Sequence, residues 1–164
     1  MAARDVIFAS VIVFFTAIAM FTGYTVSKSV IETAVNISVI KAEPRAVTVM
    51  EDALQVTDQM DYVVFGVFIA LVLGILITSW FVPANAIFTA IYFLVVVIAI
   101  VLSSVFHYVW DQITVMTIFG ATITAFPITN NIITNLPLYM GIVGFVGLVV
   151  MFAKPSMREG YGQY

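Results

Sequence analysis

Four stretches of the chain are long, apolar and free of charge, and they restrict its folding more than anything else in it. They are Val6 to Val26, Tyr62 to Val82, Ala86 to Phe106 and Leu136 to Ala153. None contains Asp, Glu, Lys, Arg or His. A helix needs roughly 20 apolar residues to cross a bilayer, and the fourth stretch is near the workable minimum. Many of these residues are β-branched and would favour strands in water. Inside lipid the backbone must satisfy its own hydrogen bonds, and open strands cannot do so. The expected fold is therefore all-α: a polytopic membrane protein with four transmembrane helices and amphipathic helices outside them, in one membrane domain covering 1–164.

Composition agrees. The chain is 63% hydrophobic and 9% charged, with a mean hydropathy of +1.15. A soluble domain carries about 25% charged residues, so water is not the main solvent here. The formal net charge of −3 leaves no electrostatic footprint for nucleic acid. The absence of cysteine removes disulfides, thiolate metal sites, iron–sulfur clusters and a cysteine nucleophile. Arg4 precedes the first apolar stretch as in a signal peptide, but the stretch is longer than a usual signal core and no small-x-small site closes it, so it is expected to stay uncleaved.

Aromatic residues gather near the span ends: Tyr24, Tyr62, Trp80, Tyr108, Trp110 and Tyr139. Such rings favour the headgroup level. Pro83-Ala84-Asn85 is a tight turn and predicts an antiparallel helical hairpin of the second and third spans. Residues 27–61 are the most polar part. Val30, Ile31, Ala34 and Val35 recur at helical spacing, as do Ala46, Met50, Ala53 and Leu54. Two amphipathic helices are expected, broken at Glu43-Pro44. They either lie on the membrane surface or extend the neighbouring spans, and extension is favoured. Residues 107–135 are rich in Thr and Ile. An interfacial helix, a re-entrant segment and an extended layer are all open, with an interfacial or partner-covered segment preferred. Four spans place the termini on one side, and lysine and arginine positions lean to the cytoplasmic side for them.

Small residues mark helix-packing candidates. Gly66, Ala70 and Gly74 repeat every four residues along the second span, and Gly141, Gly144 and Gly147 every three along the fourth. In lipid such residues let backbones approach. The contact is either within the chain or between copies. Ala19 and Gly23 form a weaker version. Asn135 is placed as an N-cap, with Leu136 and Pro137 opening the last helix; a pore filter would want a ring of polar groups at membrane depth, which the spans do not supply. His107, with Asp111 one turn on, is the only histidine. One histidine and one carboxylate fall short of a metal site. No phosphate loop, Ser/His/Asp order or paired intramembrane carboxylates occur. Catalytic, cofactor-binding and metal residues are therefore expected to be none, and the absence of ionisable groups in the spans argues against an ion-coupled transporter.

The second half, from DQMDYVVFGVF through FPITNNIITNLPLYMGIVGFVGLVVMFAKP, resembles small membrane proteins of tailless icosahedral phages with an internal lipid membrane, of the lipid-containing Flavobacterium phage type. The resemblance covers residues 58–155. It rests on Phe126-Pro127 with Thr129-Asn130, on Asn135-Leu136-Pro137-Leu138-Tyr139, and on Phe152-Ala153-Lys154. It implies a structural virion protein without catalysis, present in many copies beneath a capsid shell, with the lipid bilayer and other protein subunits as partners. The expected location is a virion internal membrane or a host cell inner membrane, and self-association is expected. An accessory subunit of a membrane enzyme or transporter, and a holin-type protein, are the alternatives.

Overall fold

The computed structural model describes residues 2–82, 85–117, 119–120 and 122–153. Among them there are seven helices, one short 3-10 turn at Ile123–Ala125 and no strand. The helices are α1 (Ala2–Val35), α2 (Ser38–Lys41), α3 (Pro44–Thr57), α4 (Met60–Phe81), α5 (Ala86–Thr114), α6 (Pro127–Thr134) and α7 (Leu136–Phe152). Helices α1 and α5, and the run from α3 through α4, are long and apolar enough to cross a membrane. The fourth candidate span is α6 with α7, bent by 67° between them. The all-α membrane-spanning architecture is thus the observed one.

The four long helices form a bundle. Helix α1 packs against α4 and α5, and α7 packs against the same two. Helices α4 and α5 therefore occupy opposite corners. This corrects the hairpin expected from the Pro83 turn: α4 and α5 are joined by a short connection but do not pack as partners. The middle of that turn, Pro83-Ala84, lies outside the described residues. The physical reason is α7, whose glycine face admits α5 so closely that α7 becomes its antiparallel neighbour. Parallel pairs follow from the same arrangement. Phe14 stacks on Phe106 at 4.3 Å and Phe21 meets Trp110 at 5.1 Å, so α1 and α5 run together. Phe68 lies 5.5 Å from Tyr139, and Ser79 lies beside Gly147, so α4 and α7 do too.

Each helix buries one stripe at helical spacing: Val6, Val13, Ala17, Phe21 and Tyr24 on α1, for example, or Tyr92, Val96, Ala99, Ser103 and Trp110 on α5. The outer faces are also apolar, with Phe15, Leu73, Phe93 and Phe145 exposed. A surface this apolar suits hydrocarbon as its solvent. Two serine hydroxyls within the spans bond back into their own helices, Ser10 to the Ile7 carbonyl and Ser104 to that of Ile100, whereas the buried hydroxyls of Ser79, Tyr92 and Ser103 find no partner among the described residues.

Outside the bundle, α1 runs straight on to Val35, so the first amphipathic segment extends its span. Helix α2 fills the bend, and Pro44 opens α3 at its first turn, as the break at Glu43-Pro44 required. Helix α3 returns along α1 and hands over to α4 after one irregular step at Asp58 and Gln59. Within the 107–135 segment, Trp110, Thr122, Phe126, Thr129 and Ile133 are buried against the rest of the chain, while Tyr108, Val115, Met116 and Asn131 are exposed. Helix α5 carries on to Thr114, and α6 packs against α4 and α5 at the mouth of the bundle.

Candidate functional site

The described residues concentrate their polar interior contacts at that mouth. Helix α6 begins at Pro127 and has Phe126 at its N-cap position, which offers no side-chain acceptor. Its first-turn amides must find one elsewhere. Asp61, in the first turn of α4, supplies it. One carboxylate oxygen accepts from the Ile128 amide at 2.9 Å. The other accepts from the Thr129 amide at 2.7 Å and the Thr129 hydroxyl at 2.6 Å. Asp61 is only 3% exposed. A buried carboxylate needs this many donors, and the positive end of a helix is a favourable place for its charge.

Three further contacts tie the same cap down. The Trp110 indole N–H donates to Asn130 Oδ1 at 2.9 Å. The hydroxyls of Thr25 and Thr122 share a hydrogen bond at 3.1 Å. Phe21 sits among Trp110, Phe119 and Phe126, with ring centroids 5.1–5.6 Å away. Beside them the Tyr24 hydroxyl donates to Asp58 at 3.0 Å, joining α1 to the step between α3 and α4. The assembly works as a latch. It fixes residues 122–135 over the bundle and commits the Asp61 carboxylate to two backbone amides and the Thr129 hydroxyl.

The residues singled out from sequence divide into groups. Gly141, Gly144 and Gly147 face α5 inside the chain. A Cβ on Gly144 would lie 2.5 and 2.8 Å from the Val96 methyls, and one on Gly147 would collide with the Tyr92 hydroxyl and stand 3.0 Å from Ser79 Oγ. Gly66 and Gly74 have no atom within 4 Å of an added Cβ, and Ala70 is exposed, so that stripe looks outward. Gly23 is equally open. Among the aromatics, Tyr62, Trp80 and Tyr108 are exposed, Tyr139 is half-buried against Phe68, and Tyr24 and Trp110 turn inward to the latch.

Asn135 stands at the N-cap position of α7, but its side chain accepts nothing from that helix. It donates back to Asn131, to the carbonyl at 2.9 Å and to Oδ1 at 2.7 Å. The side-chain N-cap is instead Asn85, which accepts from the Phe88 amide at 2.9 Å and opens α5. His107 Nε2 approaches Asp111 at 3.4 Å on the surface. No group of three metal-ligating side chains converges among the described residues.

Asp61, the carboxylate that caps α6, is read from sequence only as one of the polar residues of 27–61. The available signal was a helix start, Phe126-Pro127-Ile128-Thr129, without a capping side chain of its own. Comparisons with family models, with curated proteins and with solved structures find no match to this chain.

Proposed function

We propose that the protein is a non-catalytic structural anchor of a membrane, holding a protein layer at a fixed distance from the bilayer. The observation that carries this reading is the α1–α3 projection. Helix α4, with 22 residues, is about 33 Å long at 1.5 Å per residue and matches a hydrocarbon core of about 30 Å. Tyr24 is level with the start of α4 through its bond to Asp58. The α1 residues beyond Tyr24, up to Val35, therefore stand clear of the core by about 17 Å. They form with α3 a two-helix post whose outward charged and apolar residues, among them Val30, Glu32, Val49 and Glu51, are exposed among the described residues. The latch serves the same end, because it closes the bundle mouth with a rigid cap.

The setting that best fits the resemblance of residues 58–155 is a virion with an internal membrane, where such a post would meet the inside of a capsid shell. The test is cross-linking mass spectrometry on the native membrane particle containing the chain. Cross-links from Lys28 and Lys41 to a shell protein support the reading. Co-purification with a cofactor-bearing membrane complex would replace it with an accessory subunit, and rapid lysis on expression with a holin-type activity.

A further inference from the structure

We infer that Ser79, Tyr92 and Gly147 form an internal water-binding site, where a water molecule joins α4, α5 and α7 at the end of the bundle opposite the Asp61 latch. The inference concerns the bundle alone and does not depend on what the α1–α3 post meets.

The two hydroxyls come from different helices and converge on a third. Ser79 lies in the last turn of α4, Tyr92 in the second turn of α5, and Gly147 faces both from α7. A Cβ at Gly147 would stand 3.0 Å from Ser79 Oγ and 3.2 Å from Tyr92 Cζ, and would collide with the Tyr92 hydroxyl itself. The glycine therefore leaves the room into which both hydroxyls point. Ser79 is fully buried and Tyr92 is 1% exposed. Neither hydroxyl has a hydrogen-bond partner among the described residues. The usual outlet for a helical serine is the carbonyl four residues back. For Ser79 that is the Ile75 carbonyl, which already serves the helical amide and accepts from the Thr78 hydroxyl at 3.1 Å. Tyr92 has no local outlet, because its hydroxyl sits at the far end of a rigid ring.

Buried hydroxyls are costly to leave unpaired, and in proteins they are met by other protein groups or by ordered water. Water suits this pair. It donates and accepts, as each hydroxyl does, so it can bridge groups that their own helices hold apart. The carbonyls in the last turn of α4, which have no amide four residues on within the helix, lie within a turn of Ser79 and offer further acceptors. Depth favours the site too. Ser79 is about 3 Å along the axis from the last residue of α4, so it lies close beneath the headgroup level, where water is at hand. Deeper in, Val96 fills the space opposite Gly144 and closes the seam between α5 and α7. The site is thus a pocket for water and not the mouth of a channel. It ties α7 to both diagonal helices at the end that the latch does not reach.

Radiolytic labelling tests this, because hydroxyl radicals made from a bound water react with the side chains around it. The full-length chain in phosphatidylcholine nanodiscs is pulsed with X-rays in isotopically labelled water, with a radical scavenger in the bulk phase. Tyr62 and Tyr108, both exposed, should lose their label to the scavenger. Tyr92 should keep its label and gain it about threefold faster than Met140, which is equally buried. Ser79→Ala removes one anchor of the water and should lower Tyr92 labelling about threefold at unchanged helix content. Ser104→Ala, whose hydroxyl bonds back to Ile100, should leave it unchanged. Gly147→Ala fills the site and should abolish the label, and Ser79→Ala keeps the test decisive where that chain fails to assemble. Tyr92 labelling no faster than that of Met140, or equal in Ser79→Ala and the unaltered chain, overturns the inference. So does coupling between Ser79→Ala and Tyr92→Phe in a double-mutant cycle when Tyr92 gains no label, since the two hydroxyls then bond each other directly.

Discussion

Asp61 and Thr129 are 68 residues apart and are joined twice, the carboxylate of the first accepting both the amide and the hydroxyl of the second. With the Ile128 amide as third donor, α4 supplies the cap that α6 lacks. The contact explains how a segment rich in Thr and Ile, with no charge after Asp111, acquires a defined place. Its helix start is tied to the one carboxylate buried among the described residues.

Asp61→Ala should release α6. Three donors would be left unpaired where water is scarce, each at about 1–3 kcal/mol. With partial relaxation, a loss of about 3–5 kcal/mol is expected in unfolding from mixed micelles. Asp61→Asn keeps the shape but turns an amide donor toward the α6 N–H groups, and its loss should be about half. Hydrogen exchange at Ile128 and Thr129 reads the effect directly. Unchanged protection of both amides in Asp61→Ala would show that the cap is held without the carboxylate.

The two glycine stripes should respond oppositely to alanine. At Gly144 the new methyl meets Val96, whose branched side chain has little freedom in a helix. Overpacking costs about 1–3 kcal/mol, against a helix-propensity gain of at most about 1 kcal/mol. Gly144→Ala should therefore destabilise, and Val96→Ala should rescue it. Gly66→Ala and Gly74→Ala meet open space and should leave the stability of the monomer level or slightly raised. The reverse ranking in a thermal scan of monomeric chains would mean that α7 and α5 do not approach as described.

The two tryptophans offer a check on which face meets lipid. Trp80 is half exposed and Trp110 is fully buried. In vesicles of brominated phosphatidylcholine, a Trp110→Phe chain, emitting only from Trp80, should be strongly quenched. A Trp80→Phe chain should retain most of its emission. Similar quenching of both would place Trp110 on the lipid surface. Trp110→Phe also removes the donor to Asn130 and should cost about 1 kcal/mol.

The positions of the four long apolar helices were legible because hydropathy and length report on a bilayer-spanning segment, but the short helices α2 and α6 were not. The spacing of Gly141, Gly144 and Gly147 likewise announced a close contact. Azimuth was not legible. Tyr24 and Trp110 lie at the same end of the bundle as Tyr62 and Tyr108, yet the first two turn inward and the other two outward. The direction depends on which neighbours surround each helix. The Pro83 turn fixed how far apart two helix ends lie but not which faces meet, so a diagonal pair looked like a hairpin. Asp61 was hidden for a related reason: its partner lies on a helix more than sixty residues away, and a local reading sees only a polar residue before an apolar run.

The joint at the base of the post is the contact of Tyr24 with Asp58. Tyr24 is buried and donates to Asp58, which is exposed, while the Lys28 ammonium lies 5.7 Å from the Tyr24 ring centroid. A hydrogen bond to a carboxylate is worth about 1.5–3 kcal/mol when dry, and solvent at Asp58 lowers this to about 1 kcal/mol. Tyr24→Phe leaves the ring packed on Phe126 and removes only the hydroxyl. Paired with Asp58→Ala in a double-mutant cycle, it should give a coupling energy of about 0.5–1 kcal/mol. Both single changes should also loosen the register of α3 on α1, lowering amide protection in α3 while that of α6 stays intact. Strict additivity of the two substitutions, with α3 protection unchanged, would assign the register to packing alone and remove the Tyr24–Asp58 bond as its origin.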